Sequence, residues 1–205
     1  MMIASFTGGM FETNCFFLPD HGILIDAPQE CADWLADKGH KVRLLLLTHG
    51  HIDHIWDAAR IQRDHACPVG CHPDAIPMVS DPQFFRRFGF ALDVETFVPD
   101  LTITETPDRN LGGIDFQVLE VPGHCPGSLC FFSKADRLIF GGDVLFAGGV
   151  GRWDLPGGDR DLLFTGIKSK LFPLGDDIKV LPGHGPATTI GTERQENAFV
   201  GELGA

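Results

Sequence analysis

The strongest constraint on this chain is a short stretch, residues 48–54, that holds three histidines and one aspartate directly after an apolar run. The apolar run is typical of a buried strand. A strand leading through a tight turn into a helix would place His49 and His51 on one side of the turn, and Asp53 and His54 at the start of the helix. Imidazole nitrogens and carboxylate oxygens bind zinc-like ions at ~2.0–2.2 Å. The stretch therefore predicts a site with room for two adjacent metal ions.

The alternative is that these four side chains are ordinary polar loop residues with no joint role. Imidazoles and a carboxylate crowded beside an apolar strand would then be costly to remove from water. A metal site removes that cost, and it is the interpretation we favour.

Length and charge limit the class of protein. The chain has 205 residues and a formal net charge of -12. The length fits one domain with a substantial core, and we expect residues 1–205 to form a single domain. The negative charge argues against a nucleic-acid binder, which would carry a basic stripe for phosphates. The first residues lack a basic segment and no apolar run reaches about 18 residues, so we expect a cytoplasmic protein without a membrane partner. Its oligomeric state is left open.

The cysteines are scattered along a chain that is large enough to fold without disulfides, so we expect reduced and mostly buried thiols. Cys67 and Cys71 with His72 could form a small zinc site, but no second cysteine pair accompanies them. The six cysteines are Cys15, Cys31, Cys67, Cys71, Cys125 and Cys130.

Hydrophobic periodicity predicts alternating strands and helices in both halves of the chain. This repeated order predicts an α/β fold of the αββα sandwich type. Helices are expected after Pro28, from residue 55 to near His65, from Asp159 onward, and from near Thr192. A loop is expected over the glycine-rich residues 147–158. The predicted strands are residues 2–6, 13–18, 22–26, 42–47, 69–71, 101–106, 116–121, 129–133, 138–140 and 178–181.

A proline-interrupted region, residues 73–99, contains a cluster of phenylalanines. We favour a small helix that packs these rings on the core over a mobile flap beside the metal site. The four rings are Phe84, Phe85, Phe88 and Phe90.

Three further candidate ligands follow predicted strands in glycine-containing turns. They are His124 in residues 121–128, Asp143 after Gly141-Gly142, and His184 in Pro182-Gly183-His184-Gly185. Glycine and proline hold such turns rigid and keep bulky neighbours away from a ligand. With the first stretch, the set contains five histidines and two aspartates.

The order and context of these residues resemble the metallo-β-lactamase superfamily, whose HxHxDH motif falls on residues 49–54. The resemblance implies that His49, His51 and His124 bind a first ion, and that Asp53, His54 and His184 bind a second. It also implies that Asp143 bridges the two ions, with Asp53 and Asp143 as the catalytic carboxylates. Asp26 matches the family's aspartate at a strand end, which would orient a ligand. A plain turn residue is the alternative for Asp26.

Finer motifs resemble the compact, glyoxalase II-like (YcbL-type) branch of that superfamily. They are Thr13-Asn14-Cys15, residues 151–159, and residues 182–191 with Glu193 downstream. This resemblance implies hydrolysis of a small-molecule glutathione thioester, S-D-lactoylglutathione, to D-lactate and glutathione. The implied cofactors are two divalent metal ions that together acidify one water. Zinc is expected, and iron and manganese also suit these donors.

The sequence departs from full-length glyoxalase II in two respects. Only 21 residues follow His184, so we expect no helical C-terminal domain, and the 205 residues include no tyrosine. Glutathione must then be held in another way or more weakly, or the substrate is another acyl thioester. Arg152 is a candidate for binding a substrate carboxylate, with a salt bridge to Asp154 or Asp159 as the alternative.

Other functions stay open at this point. A persulfide dioxygenase of the same superfamily would place one iron on His49, His124 and Asp143, although residues 156–159 favour the hydrolase. A β-lactamase is less consistent, because Asp143 stands where the common zinc β-lactamases resemble one another in having cysteine. Cys125 is not needed as a nucleophile. A non-catalytic metal-binding module would usually lack one of the seven ligands.

Overall fold

Two six-stranded sheets organise the chain, one in each of the units Met1–Ile103 and Thr104–Ala205. The structure, a computed structural model, describes residues 1–81, 83–87, 89 and 94–202. The grouping of residues 1–205 into one domain stays a prediction.

The sheet of the first unit begins with an antiparallel meander and continues with parallel strands. Its strands lie in the order β1-β2-β3-β4-β5-β6. Strands β3, β4 and β5 are short and fully buried, as expected for parallel strands that are covered on both faces. The strands are β1 (Ala4–Gly8), β2 (Thr13–Leu18), β3 (Ile23–Ile25), β4 (Leu44–Leu46), β5 (Val69–Cys71) and β6 (Leu101–Thr102).

Helices lie in the connections between the parallel strands β3 to β6. The longest, α3, buries Ala58, Ala59 and Ile61 and ends at a left-handed Ala66. The predicted helix near Phe84 is present, but its two described rings are only half-buried. Phe88 and Phe90 lie outside the described residues. The helices are α1 (Cys31–Asp37), α2 (Ile52–Ile55), α3 (Ala58–His65), α4 (Ile76–Ser80) and α5 (Phe84–Arg87), with a 3-10 turn at Pro73–Ala75.

The sheet of the second unit has the order β14-β13-β10-β9-β8-β7. Strand β9 is antiparallel to both β8 and β10, and β10 is parallel to β13. Strands β8, β10 and β13 therefore run in one direction, and their carboxyl ends share one edge of the sheet. The strands are β7 (Thr106–Leu111), β8 (Ile114–Glu120), β9 (Leu129–Ser133), β10 (Leu138–Gly142), β13 (Lys179–Pro182) and β14 (Thr188–Thr189).

A small hairpin and two helices complete the second unit. The hairpin pairs β11 (Leu145–Phe146) with β12 (Gly149–Val150). Helix α6 (Arg160–Gly166) begins at Asp159, whose carboxylate accepts a hydrogen bond from the Leu162 amide, as the sequence predicts. Helix α7 (Ile190–Glu196) begins at Thr189, whose hydroxyl accepts from the Thr192 amide. The chain between them continues α6 through a π-helical segment, Ile167–Leu171, and a 3-10 turn, Phe172–Leu174.

Among the described residues, none of the helices has both the length and the apolar character needed to cross a bilayer.

The predicted cysteine state is confirmed, because all six thiols are free and buried. Burial raises the pKa of Cys67 to about 11 and the pKa values of Cys71 and Cys130 to about 12. Burial and the neighbouring Cys15 also raise the pKa of Cys31.

We expect these thiols to react with Ellman's reagent much more slowly in the folded protein than in guanidinium chloride. The thiolate is the reactive form, and an unfolded thiol has a pKa of about 8.5. At about pH 8, all six thiols of the unfolded chain should react with the reagent within the mixing time. Rapid reaction of any thiol in the folded protein would contradict the burial described here.

Candidate metal centre

The candidate ligands of the first unit and the orienting Asp26 follow the carboxyl ends of two neighbouring parallel strands. Asp26 directly follows β3, and His49 follows β4 after two residues. The chain then turns into the short helix α2, which carries Asp53 and His54 in its first turn. Carboxyl ends of parallel strands are the usual place for a binding site in an open α/β sheet. The sequence predicted this strand, turn and helix in the correct order.

The three imidazoles of this turn are packed against one another. The ring centroid of His49 lies 4.8 Å from that of His51 and 4.1 Å from that of His54. The Nε2 atom of His54 is 3.5 Å from the Oδ2 atom of Asp53. His49 and His54 are buried, whereas His51 and Asp53 are half-buried. The turn therefore combines two buried nitrogens with two more accessible donors.

The buried carboxylate of Asp26 orients two of these histidines. Its Oδ2 atom is 2.8 Å from His54 Nδ1, and the same oxygen accepts a 2.8 Å hydrogen bond from the Thr48 hydroxyl. The Thr48 amide donates to Oδ1 over 2.8 Å. The Thr48 oxygen in turn lies 3.1 Å from His49 Nδ1.

This network assigns the imidazole protons. Because an ionised carboxylate only accepts hydrogen bonds, His54 must donate from Nδ1 to Asp26. Since the Thr48 hydroxyl gives its proton to Asp26, its oxygen accepts from His49 Nδ1. Both rings then keep the Nε2 lone pair available for a metal. One carboxylate thus sets the tautomer of two predicted ligands, one for each predicted ion.

Asp53 is also held by a neighbour, the buried Thr13 of β2. The Thr13 hydroxyl donates a 2.7 Å hydrogen bond to Asp53 Oδ2. Thr13 and Thr48 were not assigned a role from the sequence. The Thr13-Asn14-Cys15 motif carried a family resemblance but indicated no partner for Thr13, because the partners of Thr13 and Thr48 lie 40 and 22 residues away along the chain.

The candidate ligands of the second unit follow β8, β10 and β13, the three strands that run in one direction. Asp143 comes directly after β10, His184 comes two residues after β13, and His124 lies in the turn after β8. The turn before His124 needs Gly123, whose φ is +120°. A side chain there would place its Cβ atom 2.4 Å from the Asp159 carbonyl oxygen.

One carboxylate oxygen lies close to both histidines of this unit. Asp143 Oδ2 lies 3.5 Å from His124 Nε2 and 3.3 Å from His184 Nε2. Donors that bind zinc at ~2.0–2.2 Å in tetrahedral geometry are about 3.3–3.6 Å from one another. The Asp143 pairs and the Asp53–His54 pair at 3.5 Å match that spacing. The donors of each unit therefore fit a metal ion of this class.

The orientation of His124 is fixed by the backbone. The Arg152 carbonyl oxygen lies 2.7 Å from His124 Nδ1. A carbonyl only accepts, so Nδ1 carries the proton and Nε2 faces Asp143. Gly151 permits this approach, because a Cβ atom there would lie 2.0 Å from the Asp143 carbonyl oxygen and 3.1 Å from His124 Cγ.

The Arg152 side chain is paired with Asp154. Its Nε and a terminal nitrogen each donate a 2.8 Å hydrogen bond to one carboxylate oxygen. The guanidinium lowers the pKa of Asp154 to about 2. Of the two salt bridges that the sequence offered, the structure has the one to Asp154. Substrate binding by Arg152 stays a prediction, and its carbonyl is the group that reaches a candidate ligand.

The remaining sequence hypotheses concern cysteines. Cys125 is buried next to His124, and its thiol donates to the Pro126 carbonyl. In the part of the chain that the structure describes, no group of three candidate metal ligands includes Cys67 or Cys71.

The chain belongs to the metallo-β-lactamase superfamily, whose family model matches residues 8–184. The superfamily binds divalent metals, and the histidine and aspartate clusters described above fit that property. The predicted family and α/β fold class are confirmed.

Three similar proteins cover nearly the whole chain. The hydroxyacylglutathione hydrolase GloC of Haemophilus influenzae is 35% identical over 199 residues, which is 93% of each chain. The crystal structure of the B3 metallo-β-lactamase BLEG-1 has a TM-score of 0.89 and 31% identity, covering 97% of this chain and 99% of that one. The crystal structure of TTHA1623 in a di-iron-bound form has a TM-score of 0.83 and 34% identity, covering 96% and 99%. These relatives support a metal-dependent hydrolase.

We expect Asp26→Asn to weaken metal binding while the protein stays folded. Asparagine tolerates the left-handed backbone of residue 26, whose φ is +60°. Its amide must either donate to His54 Nδ1, which moves the proton of that ring to Nε2, or face the Thr48 amide, which also donates. Loss of such a partner typically lowers metal affinity by about 10–100-fold.

Competition with a chromophoric zinc chelator would measure this affinity. Asp20→Asn, a change of the same kind at an exposed position, is the matched control. An unchanged zinc affinity in Asp26→Asn would show that this carboxylate does not orient a ligand.

Proposed function

We propose that the protein is a dinuclear metal-dependent hydrolase of a glutathione thioester, converting S-D-lactoylglutathione to D-lactate and glutathione. The proposal includes a joint site, in which the four donors of residues 49–54 and the three donors of the second unit would bind the same pair of ions. The single observation that carries it is the spacing of the donors in each unit, which matches the first shell of a zinc-like ion. The substrate class is supported by the similarity to GloC, a hydroxyacylglutathione hydrolase.

The proposed division of the ligands follows the family motif. His49, His51 and His124 would hold one ion, Asp53, His54 and His184 the other, and Asp143 both. The Oδ2 atom of Asp143 is within 3.5 Å of a nitrogen proposed for each ion, His124 Nε2 and His184 Nε2, as a bridging carboxylate requires. Zinc, iron and manganese all suit this set of donors.

When bound, a pair of divalent ions acidifies water and polarises a carbonyl group. The side chains of the protein prepare for this chemistry. Asp26, Thr48 and the Arg152 carbonyl hold the protons of three imidazoles on Nδ1, so that no proton competes for Nε2. Thr13 fixes the Asp53 carboxylate, and burial of His49, His54 and His124 keeps bulk water from these nitrogens. A protein nucleophile is not required, which agrees with the buried state of Cys125.

A second candidate is hydrolysis of a β-lactam, which the similarity to BLEG-1 favours. Both substrates present a carbonyl carbon to attack by water, so the metal ligands do not separate them. Thiol release from S-D-lactoylglutathione, measured beside the absorbance change of a chromogenic cephalosporin, does so. We expect the thioester to be cleaved without oxygen consumption. Turnover of the cephalosporin alone, or oxygen uptake with glutathione persulfide in the one-iron protein, would overturn the proposal.

Asp143→Ala should reduce thioester cleavage by at least about 100-fold and lower the metal content, because a ligand shared by both ions is lost. Arg152→Ala should retain most of the activity. Its salt bridge with Asp154 is exposed and such pairs contribute about 0–1 kcal/mol, and the variant keeps the carbonyl that holds His124.

Asp154→Ala is the matched control for loss of a nearby exposed carboxylate. Steady-state kinetics and metal analysis of the three variants provide the test. Wild-type activity of Asp143→Ala would refute its bridging role. A raised KM with unchanged kcat in Arg152→Ala would show that the arginine binds the substrate.

A further inference from the structure

Besides the candidate ligands, the second unit has a buried carboxylate, Glu193 of α7. Only 1% of its surface is exposed. Its Oε1 atom accepts a 2.5 Å hydrogen bond from the Thr188 hydroxyl. Its Oε2 atom accepts from the Gly148 amide over 2.9 Å and from the Asn197 side-chain amide over 2.7 Å. Both oxygens are thus fully engaged with three different segments of the chain.

Asn197 extends this network at the end of α7. Its side-chain nitrogen also donates to the Gly149 carbonyl over 2.9 Å. Its Oδ1 atom accepts from the amides of Phe199 and Val200 over 3.0 and 3.3 Å. Glu193 and Asn197 therefore bind Gly148 at the tip of the β11–β12 hairpin and Gly149 at the start of β12.

This hairpin is linked to each of the three candidate ligands of the unit, either along the chain or by a contact. It begins two residues after Asp143, and it ends two residues before Arg152, whose carbonyl accepts from His124 Nδ1. The ring of Phe146, in β11, packs edge-on against the ring of His184 at a centroid distance of 6.0 Å. Thr188, the remaining partner of Glu193, is four residues after His184. A shift of the hairpin would therefore displace all three ligands.

Stability alone does not explain a carboxylate at this position. A buried charge is costly unless it is fully hydrogen-bonded, and an apolar side chain of similar size often serves stability as well or better. A carboxylate that accepts from three donors, however, fixes the orientation of each donor as well as its distance, since a hydrogen bond weakens when its angle changes.

We propose that Glu193 is a positioning residue for the metal centre. It ties the tip of the β11–β12 hairpin and Thr188 to α7, and so keeps His124, Asp143 and His184 at metal-binding spacing. The inference rests on the proposed function only in that these three side chains bind metal, and it requires no particular substrate.

Cobalt binding tests this role directly, because the visible spectrum of bound Co²⁺ reports the coordination geometry and a competing chelator reports affinity. We expect Glu193→Ala to lower the Co²⁺ affinity by about 10–100-fold and to change the spectrum. Glu193→Gln should restore both. Its carbonyl oxygen can accept from Gly148 and Asn197, while its amide donates to the Thr188 hydroxyl. Glu196→Gln, an exposed change in the same helix, is the control.

The free energy of unfolding of the metal-free variants separates positioning from simple stabilisation. A purely structural residue would lower that free energy in Glu193→Ala but leave the Co²⁺ spectrum and affinity of the folded fraction as in wild type, and this result would overturn the proposal. Should Glu193→Ala not fold, Thr188→Val removes one hydrogen bond and should lower the Co²⁺ affinity in the same direction. Wild-type affinity in that variant would also overturn it. Failure of the wild-type protein to cleave thioesters would refute the proposed function, whereas the Co²⁺ comparison of the variants would still test the role of Glu193.

Discussion

An imidazole can bind a metal through one nitrogen only when its proton sits on the other, and the structure enforces this state for three histidines. The Asp26 carboxylate does so for His54 directly and for His49 through Thr48. The Arg152 carbonyl does so for His124. These acceptors lie at strand ends or in turns that the sheets hold in place. The chemistry of the candidate site therefore depends on hydrogen bonds one layer behind the ligands.

Strand direction explains why residues so distant along the chain can serve one purpose. In each unit the donors follow strands that run the same way, so the sheet collects them at one edge. In the second unit β8, β10 and β13 contribute one donor each. In the first unit β3 supplies the orienting carboxylate and β4 leads into the histidine turn. Glycine is required where this crowding leaves no room for a Cβ atom, as at Gly123 and Gly151.

The sequence predicted the elements with strong apolar patterns and missed those without them. Strands β2, β5 and β9 have the predicted bounds, because buried apolar and aromatic residues fill them. Strand β7 was missed because Pro107, Asp108 and Asn110 disfavour strands. The sheet accepts them since β7 is an edge strand with an irregular register. Strand β12 lies within residues 147–158, which were predicted as a loop, because its glycine disfavours a strand and its hydrogen bond to Asn197 is not visible in the sequence.

The candidate ligands were predictable because their spacing is local or their turns are distinctive, and the family match is consistent with their order. The partners of the ligands were less accessible, since Thr13, Thr48 and the Arg152 carbonyl act through contacts that no short motif encodes. Asp26 is the exception: the resemblance suggested an orienting role, and the structure places its carboxylate against His54 and Thr48.

The most direct test of this account is a crystal structure of the zinc-loaded protein with anomalous data collected at the zinc absorption edge. The account predicts two anomalous peaks about 3.5–4 Å apart, with Asp143 bound to both and the donors of residues 49–54 shared between them. A single peak at full occupancy in excess zinc, or two peaks that Asp143 does not join, would contradict it.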